Sequence, residues 1–169
     1  MYQSLKSHWR KRLTGQMVNV ISNCDLDFAK ELSEIEKEIF STSWDPSWIR
    51  DSINNKKAIY WVKKEKNKII GYIGVQFSGD DVEILGLGIL EDYRERGHGS
   101  ALMDAMLDYF HSTECKKIFL EVRDSNNVAK GLYSKFNFSR TGTRLNLSLI
   151  HISEPTRPRL ISYAVFCLK

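Results

Sequence analysis

The sequence predicts one α/β domain built on a mixed, mostly antiparallel central sheet with flanking helices. Three observations carry this expectation. The hydrophobic period switches from helical to alternating and back along the chain, strands and helices interleave, and neither an internal repeat nor a Pro- or Gly-rich linker divides the sequence. At 169 residues the chain has the size of one domain and can bury a substantial core.

Met17, Val18, Val20 and Ile21 read as a first strand. Asp25 or Asp27 can cap a helix that runs to about Phe40, with Phe28, Leu32, Ile35 and Ile39 on one face. Residues 41–46 break it, and a short helix follows from Pro46 or Ser47 through Ile53, since Pro suits a first helical position. Residues 58–64, 69–77 and 82–89 are rich in β-branched and aromatic side chains and are separated by charged or Gly-Asp turns, which predicts an antiparallel meander. From Gly97 the helical period returns with Leu102, Met106, Leu107 and Phe110. A fifth strand is expected over 117–122 and a helix over 128–136. The predicted order is β-α-α-β-β-β-α-β-α, followed by an atypical C-terminal hairpin or tail.

The net charge of +4 raises the question of nucleic-acid binding. Its distribution argues against that. Residues 1–16 hold Lys6, Arg10, Lys11 and Arg12 and no acid, and residues 145–169 hold three bases against Glu154, so the centre of the chain is mildly acidic. Cys24, Cys115 and Cys167 form an odd set without a CxxC, which suggests neither a disulfide framework nor a zinc site and fits a reducing cytoplasm. No apolar run approaches the ~20 residues that span a bilayer. The N-terminal stretch also lacks the apolar core of a secretory signal.

The strongest chemical signal is Tyr93-Arg94-Glu95-Arg96-Gly97-His98-Gly99-Ser100, an R-x-x-G-x-G turn between a strand and an amphipathic helix. Two glycines let main chain approach a ligand, and the amides and positive dipole end of the helix favour an anion such as a pyrophosphate. Arg94 and Arg96 add charge and Ser100 a hydroxyl. The turn is not a Walker loop, because no Gly-Lys-Ser/Thr follows, and it has two of the three glycines of a dinucleotide fingerprint.

Residues 84–102, Ile-Leu-Gly-Leu-Gly-Ile-Leu-Glu-Asp-Tyr-Arg-Glu-Arg-Gly-His-Gly-Ser-Ala-Leu, resemble the acetyl-CoA motif of the GNAT superfamily of N-acetyltransferases. Phe119-Leu-Glu-Val-Arg-Asp-Ser-Asn126 and Gly131-Leu-Tyr-Ser-Lys-Phe-Asn-Phe138 resemble the bacterial ribosomal-protein-alanine N-acetyltransferases, the RimI type. The likeness spans residues 17–144. It implies an acetyltransferase domain there and an atypical tail over 145–169, while residues 1–16 read as a basic N-terminal extension outside the fold or as a frayed basic arm. It further implies acetyl-CoA as co-substrate, no metal and no membrane. Main-chain groups of Leu87, Gly88 and Ile89 would face the acetyl and pantetheine arm. The loop Glu95, Arg96, Gly97, His98, Gly99 and Ser100 would hold the pyrophosphate, and Asn126 would touch the arm. Where the family usually has Leu-Gly-Phe, this chain has Phe136-Asn137-Phe138, and Asn tolerates the left-handed backbone that Gly supplies.

Glu121 stands in an otherwise apolar strand, where a charge must face solvent, a cleft or a partner. By resemblance it is the general base, and Tyr133 is the general acid toward the CoA sulfur. Without the resemblance, the ordinary readings are an outward-facing Glu and a core Tyr. No cysteine is placed for a covalent acetyl-enzyme, so direct transfer in a ternary complex is expected. The implied acceptor is a protein N terminus, with the alanine of ribosomal protein S18 as the family's target. A small amine and a non-catalytic acyl-CoA sensor are the alternatives. Trp44 falls in the loop that lies near the acceptor in this family, though an aromatic closing two helices is the plainer reading.

Beyond Arg144 the pattern departs from the family. Leu147-Ser-Leu-Ile-His-Ile-Ser-Glu-Pro-Thr-Arg157 resembles translated sequencing-adapter read-through, which implies an assembly artefact. Alternation over 145–152 and 160–168 allows a β-hairpin instead.

Overall fold

The computed structural model describes residues 18–40, 43–147 and 160–168. The expected N-terminal extension and most of the adapter-like stretch lie outside the described residues. The elements are β1 (Val18–Ile21), α1 (Leu26–Phe40), α2 (Pro46–Asn54), β2 (Ala58–Glu65), β3 (Lys68–Ser78), β4 (Asp81–Ile89), a 3₁₀ turn (Glu91–Tyr93), α3 (His98–His111), β5 (Lys117–Arg123), α4 (Asn127–Lys135), β6 (Ser139–Leu147) and β7 (Leu160–Leu168). The strands form a seven-stranded sheet in the order β1-β2-β3-β4-β5-β7-β6. Antiparallel pairing joins β1 to β2, β2 to β3, β5 to β7 and β6 to β7. The β4–β5 pair is parallel, from Asp81↔Lys117 to Ile84↔Leu120. Among the described residues no helix is long and apolar enough to cross a membrane.

The elements anticipated from periodicity appear in their expected order. The hairpin reading needs one correction. Its second strand is β7, but its first begins at Ser139 rather than residue 145. The segment Ser-Arg-Thr-Gly-Thr-Arg at the start of β6 carries no apolar alternation, because β6 lies at the sheet edge and keeps polar residues there.

The described residues form two compact units, one ending at residue 77 and resuming over 85–114, the other made of 78–84 and the residues from 115 onward. In the first, the predicted stripe of α1 buries Leu32 and Ile35, and α2 buries Ile49 and Ile53. These pack with Ala58, Tyr60 and Val62 of β2 and with Ile69, Tyr72 and Leu90 in one core. Trp61 points the other way and meets Tyr109 and Phe110 of α3, with ring centroids 5.5 and 6.0 Å away. Strand β2 is therefore buried on both faces, which is why its sequence runs apolar without alternation. Asp25 accepts the Phe28 N–H at 2.8 Å and caps α1. Asp45 caps α2 through the amides of Ser47 and Trp48, with Pro46 inside the start.

In the second unit the C-terminus of α4 is a Schellman motif. Asn137 takes φ +63°, its N–H donates to Ser134 O, and the Phe138 N–H donates to Tyr133 O at 3.1 Å. The apolar contact that accompanies such a cap is Tyr133 against Phe138, 5.9 Å between centroids, and Phe166 of β7 lies 6.4 Å from Tyr133. Asn137 thus keeps the turn that a glycine would make.

Two stability measurements follow from these contacts. Asn137→Ala should lower unfolding free energy by about 1–2 kcal/mol in urea titration, while Asn137→Gly should not, because only a β-carbon without a local hydrogen-bonding group is strained at positive φ. The Tyr60 hydroxyl is buried without a hydrogen-bond partner among the described residues. Tyr60→Phe should therefore raise stability by about 1–3 kcal/mol by removing an uncompensated polar group.

Candidate active site

Strand β4 passes under α1 with almost no clearance. A β-carbon on Gly88 would stand 2.9 Å from Ile39 and 3.2 Å from the Phe40 ring. At the end of the strand the Leu90 N–H donates to Ile70 O of β3 at 2.9 Å. Pleat alternation then turns the main-chain groups of Leu87 and Ile89 toward the opposite edge. Both residues lie past the last pair of the β4–β5 ladder, Ile84↔Leu120.

The chain leaves β4 through the 3₁₀ turn, and the Arg94 guanidinium returns to donate from Nε to Ile89 O at 3.1 Å. Arg94 thereby braces the loop against the strand. Glu95 at φ +61° and Gly97 at φ +80° are both left-handed and reverse the chain into α3. A β-carbon on Gly97 would meet nothing within 4 Å, so backbone conformation, not space, demands glycine there.

The first backbone bond inside α3 runs from the Ala101 N–H to Gly97 O. The amides of His98, Gly99 and Ser100 precede it and have no acceptor within the helix. Asp25, Asp45 and Asn126 cap the other three α-helices, whereas α3 has neither a side-chain cap nor an acid in its first turn. A helix start left this way suits an anion.

Arg96 lies over the Tyr93 ring at 5.7 Å. Partial burial lowers the His98 pKa, Lys63 and Arg96 lower it further and Glu65 opposes them, which favours the neutral ring. The Lys63 pKa is also lowered by burial, against the pull of Glu65. The first unit therefore brings Leu87, Gly88, Ile89, Arg94, Glu95, Arg96, Gly97, His98, Gly99 and Ser100 into one strand-turn-helix segment. A helix start without a side-chain cap, beside Arg96, fits an anionic diphosphate.

The second unit holds the remaining predicted residues. Glu121 is exposed on β5 opposite Val165 of β7. Asn126 is the N-cap of α4, its Oδ1 accepting the Ala129 N–H at 3.1 Å. Lys130 donates to the Asp124 carbonyl, and the Asp124 carboxylate stands 3.4 Å from Arg140 and 3.6 Å from Lys130, which fixes the turn before α4. Tyr133 is buried, and burial pushes its pKa up to about 12, so its hydroxyl keeps its proton throughout the physiological range. Among the described residues no group of three or more His, Cys, Asp or Glu side chains is gathered for a metal.

One group escaped the sequence reading. Glu36 of α1 is only 3% exposed. Its Oε2 accepts the Trp44 N–H at 3.0 Å, and Ser33 Oγ donates to Trp44 O at 2.8 Å. Burial raises the Glu36 pKa, opposed by the hydrogen bonds from Trp44 and the Tyr72 hydroxyl. The signal was present, because Glu36 stands four residues after Leu32 on the apolar face of α1, where a carboxylate needs a reason. Ser41 and Thr42 of the same loop lie outside the described residues.

Residues 29–138 match the family model described as Acetyltransferase (GNAT) family. Over 127 residues the chain is 30% identical to a Bacillus subtilis protein named putative ribosomal protein bS18-alanine N-acetyltransferase, covering 75% of this chain and 84% of that one. The ribosomal-protein-S18-alanine N-acetyltransferase of Escherichia coli has the same fold, with a TM-score of 0.72 at 20% identity over 90% of this chain and 93% of that one. Arabidopsis thaliana NAA60, solved in complex with acetyl-CoA, gives a TM-score of 0.73 at 19% identity, covering 90% and 97%. The family match spans most of the chain and takes in both the glycine turn and the Glu121–Tyr133 segment, so the chain belongs to the GNAT family and is an acetyltransferase that uses acetyl-CoA.

Proposed function

We propose that this chain transfers the acetyl group of acetyl-CoA to the α-amino group of a protein N terminus, with the alanine of ribosomal protein S18 as the first acceptor to test. The uncapped start of α3 carries the donor half of this reading. The 30% identity to the Bacillus subtilis protein supports the acceptor half. Cys24, Cys115 and Cys167 form no disulfide with one another, which agrees with a reducing cytoplasm.

The bound thioester supplies an electrophilic carbonyl carbon. The amides of His98, Gly99 and Ser100, with Arg96, bind the diphosphate, and main-chain groups of Leu87 and Ile89 orient the acyl arm. Asn126 fixes the start of α4 and offers its amide to the same arm. An α-amino group has a reference pKa near 8, so about a tenth is already neutral at pH 7. Glu121 then has only to carry away one proton from the attacking amine. Tyr133, kept protonated by burial, donates a proton to the departing sulfur. Transfer is direct, with both substrates bound. Holding amine and thioester together accounts for most of the acceleration, for which effective molarity offers about 7–11 kcal/mol.

The test is thiol release from acetyl-CoA with N-terminal peptides, an S18-like sequence among them, beside a panel of small amines. Transfer to peptides is expected; transfer to small amines alone, or binding without thiol release, rejects the reading. Glu121→Gln and Tyr133→Phe should each lower kcat by about 10²-fold or more, with acetyl-CoA affinity kept within about twofold. Gly99→Leu should weaken acetyl-CoA binding, measured by calorimetry, because its side chain enters the uncapped turn.

A further inference from the structure

A buried carboxylate is costly unless its surroundings need it. Glu36 is almost fully buried, and among the described residues no cation pairs with it. What it does hold is a pair of donors, the main-chain N–H of Trp44 and the hydroxyl of Tyr72. An ionised carboxylate accepts from both; an amide of the same shape accepts at its oxygen and turns an NH₂ toward the second donor.

The Tyr72 donor is buried against β4, and the Trp44 donor carries an exposed side chain. Ser33 holds the Trp44 carbonyl while Glu36 holds its N–H, so the main chain of this residue is fixed at both ends by α1. The Trp44 indole stacks on Trp48 at 4.4 Å and 21° yet remains 45% exposed. Phe40 is 43% exposed, and its ring meets Tyr72 edge-on at 6.5 Å. The Tyr72 hydroxyl lies 3.2 Å from where a β-carbon on Gly86 would be, and Phe40 lies equally close to that of Gly88. Two exposed aromatics are thus tied to this strand and to Glu36: Phe40, whose ring crowds Gly88, and Trp44, whose N–H the Glu36 carboxylate holds. Exposed aromatics with fixed backbones suit recognition of an incoming chain.

We propose that Glu36 is a positioning residue for the acceptor: its buried carboxylate fixes Trp44, and through Trp44 sets the affinity for the incoming peptide without touching it. This rests on the N-terminal transfer reading above. Steady-state kinetics with the preferred peptide tests it. Glu36→Gln should raise the peptide KM about fivefold or more, with kcat at saturation and the acetyl-CoA Kd held within about twofold. Ser33→Ala should raise KM in the same direction by less. Trp44→Ala should reproduce the rise, and in that background Glu36→Gln should add less than about twofold.

An unchanged KM in Glu36→Gln overturns the proposal. So does a KM rise that persists at full size in the Trp44→Ala background, or a parallel loss of kcat and acetyl-CoA affinity, which is the mark of a merely structural residue. Should Glu36→Gln fail to fold, Ser33→Ala and Trp44→Ala decide, and an unchanged KM in both overturns it. A wild-type chain that acetylates no peptide rejects the N-terminal reading and this inference together, whereas peptide turnover insensitive to Glu36 rejects this inference alone.

Discussion

The close passage of β4 beneath α1 is the constraint from which the donor half of the site follows. Gly88 leaves no room for a β-carbon between the strand and Ile39. On the β3 side, a β-carbon at Gly71 would stand 2.3 Å from the Ile89 side chain and 2.8 Å from the Gly88 carbonyl. Main chain rather than side chain therefore fills the strand here, and a strand presented as main chain can offer N–H and C=O groups at its edge. The same approach seats the end of α1 on β4 and leaves Phe40 at the surface.

Electrostatics divides along similar lines. Three helix starts satisfy their amides with Asp25, Asp45 and Asn126, which stabilises each by about 1 kcal/mol. Helix α3 gives up that contribution, and the left-handed Gly97 aims its amides outward from the end of β4. Where groups are buried, burial is the leading cause of their shifts: Tyr133 and Glu36 move up and His98 moves down. Each shift is toward the neutral form, and for Glu36 the hydrogen bonds from Trp44 and Tyr72 to its carboxylate oppose it.

What was legible in the sequence was what is local. The turn at residues 94–100 declares itself because its glycines, arginines and helix start are contiguous, and the Asn137 substitution was readable because a left-handed cap constrains one residue. The caps at Asp25 and Asp45 are equally short-range. Glu36 was not read, since its partners come from a later loop and from β3, and a single helical stripe does not announce which of its members meets a distant donor. The beginning of β6 was hidden for a different reason: an edge strand with polar side chains has no hydrophobic alternation to detect. The job of Arg94 also differs from its motif reading, because its Nε is engaged with the Ile89 carbonyl and the residue acts first as a brace.

These differences bear on how acceptor choice can change in such a chain. Acetyl transfer between a thioester and an amine with a pKa near 8 asks little of acid and base strength and much of placement. On the proposed reading the donor side is placed by backbone, through glycines and helix amides that tolerate little substitution. Trp44 is placed by the Ser33 and Glu36 side chains of α1 and is exposed, so its replacement leaves the core intact. On the same proposed reading, acceptor preference can drift at Trp44 while donor chemistry stays fixed, provided that Glu36 continues to hold the main chain on which that side chain is carried.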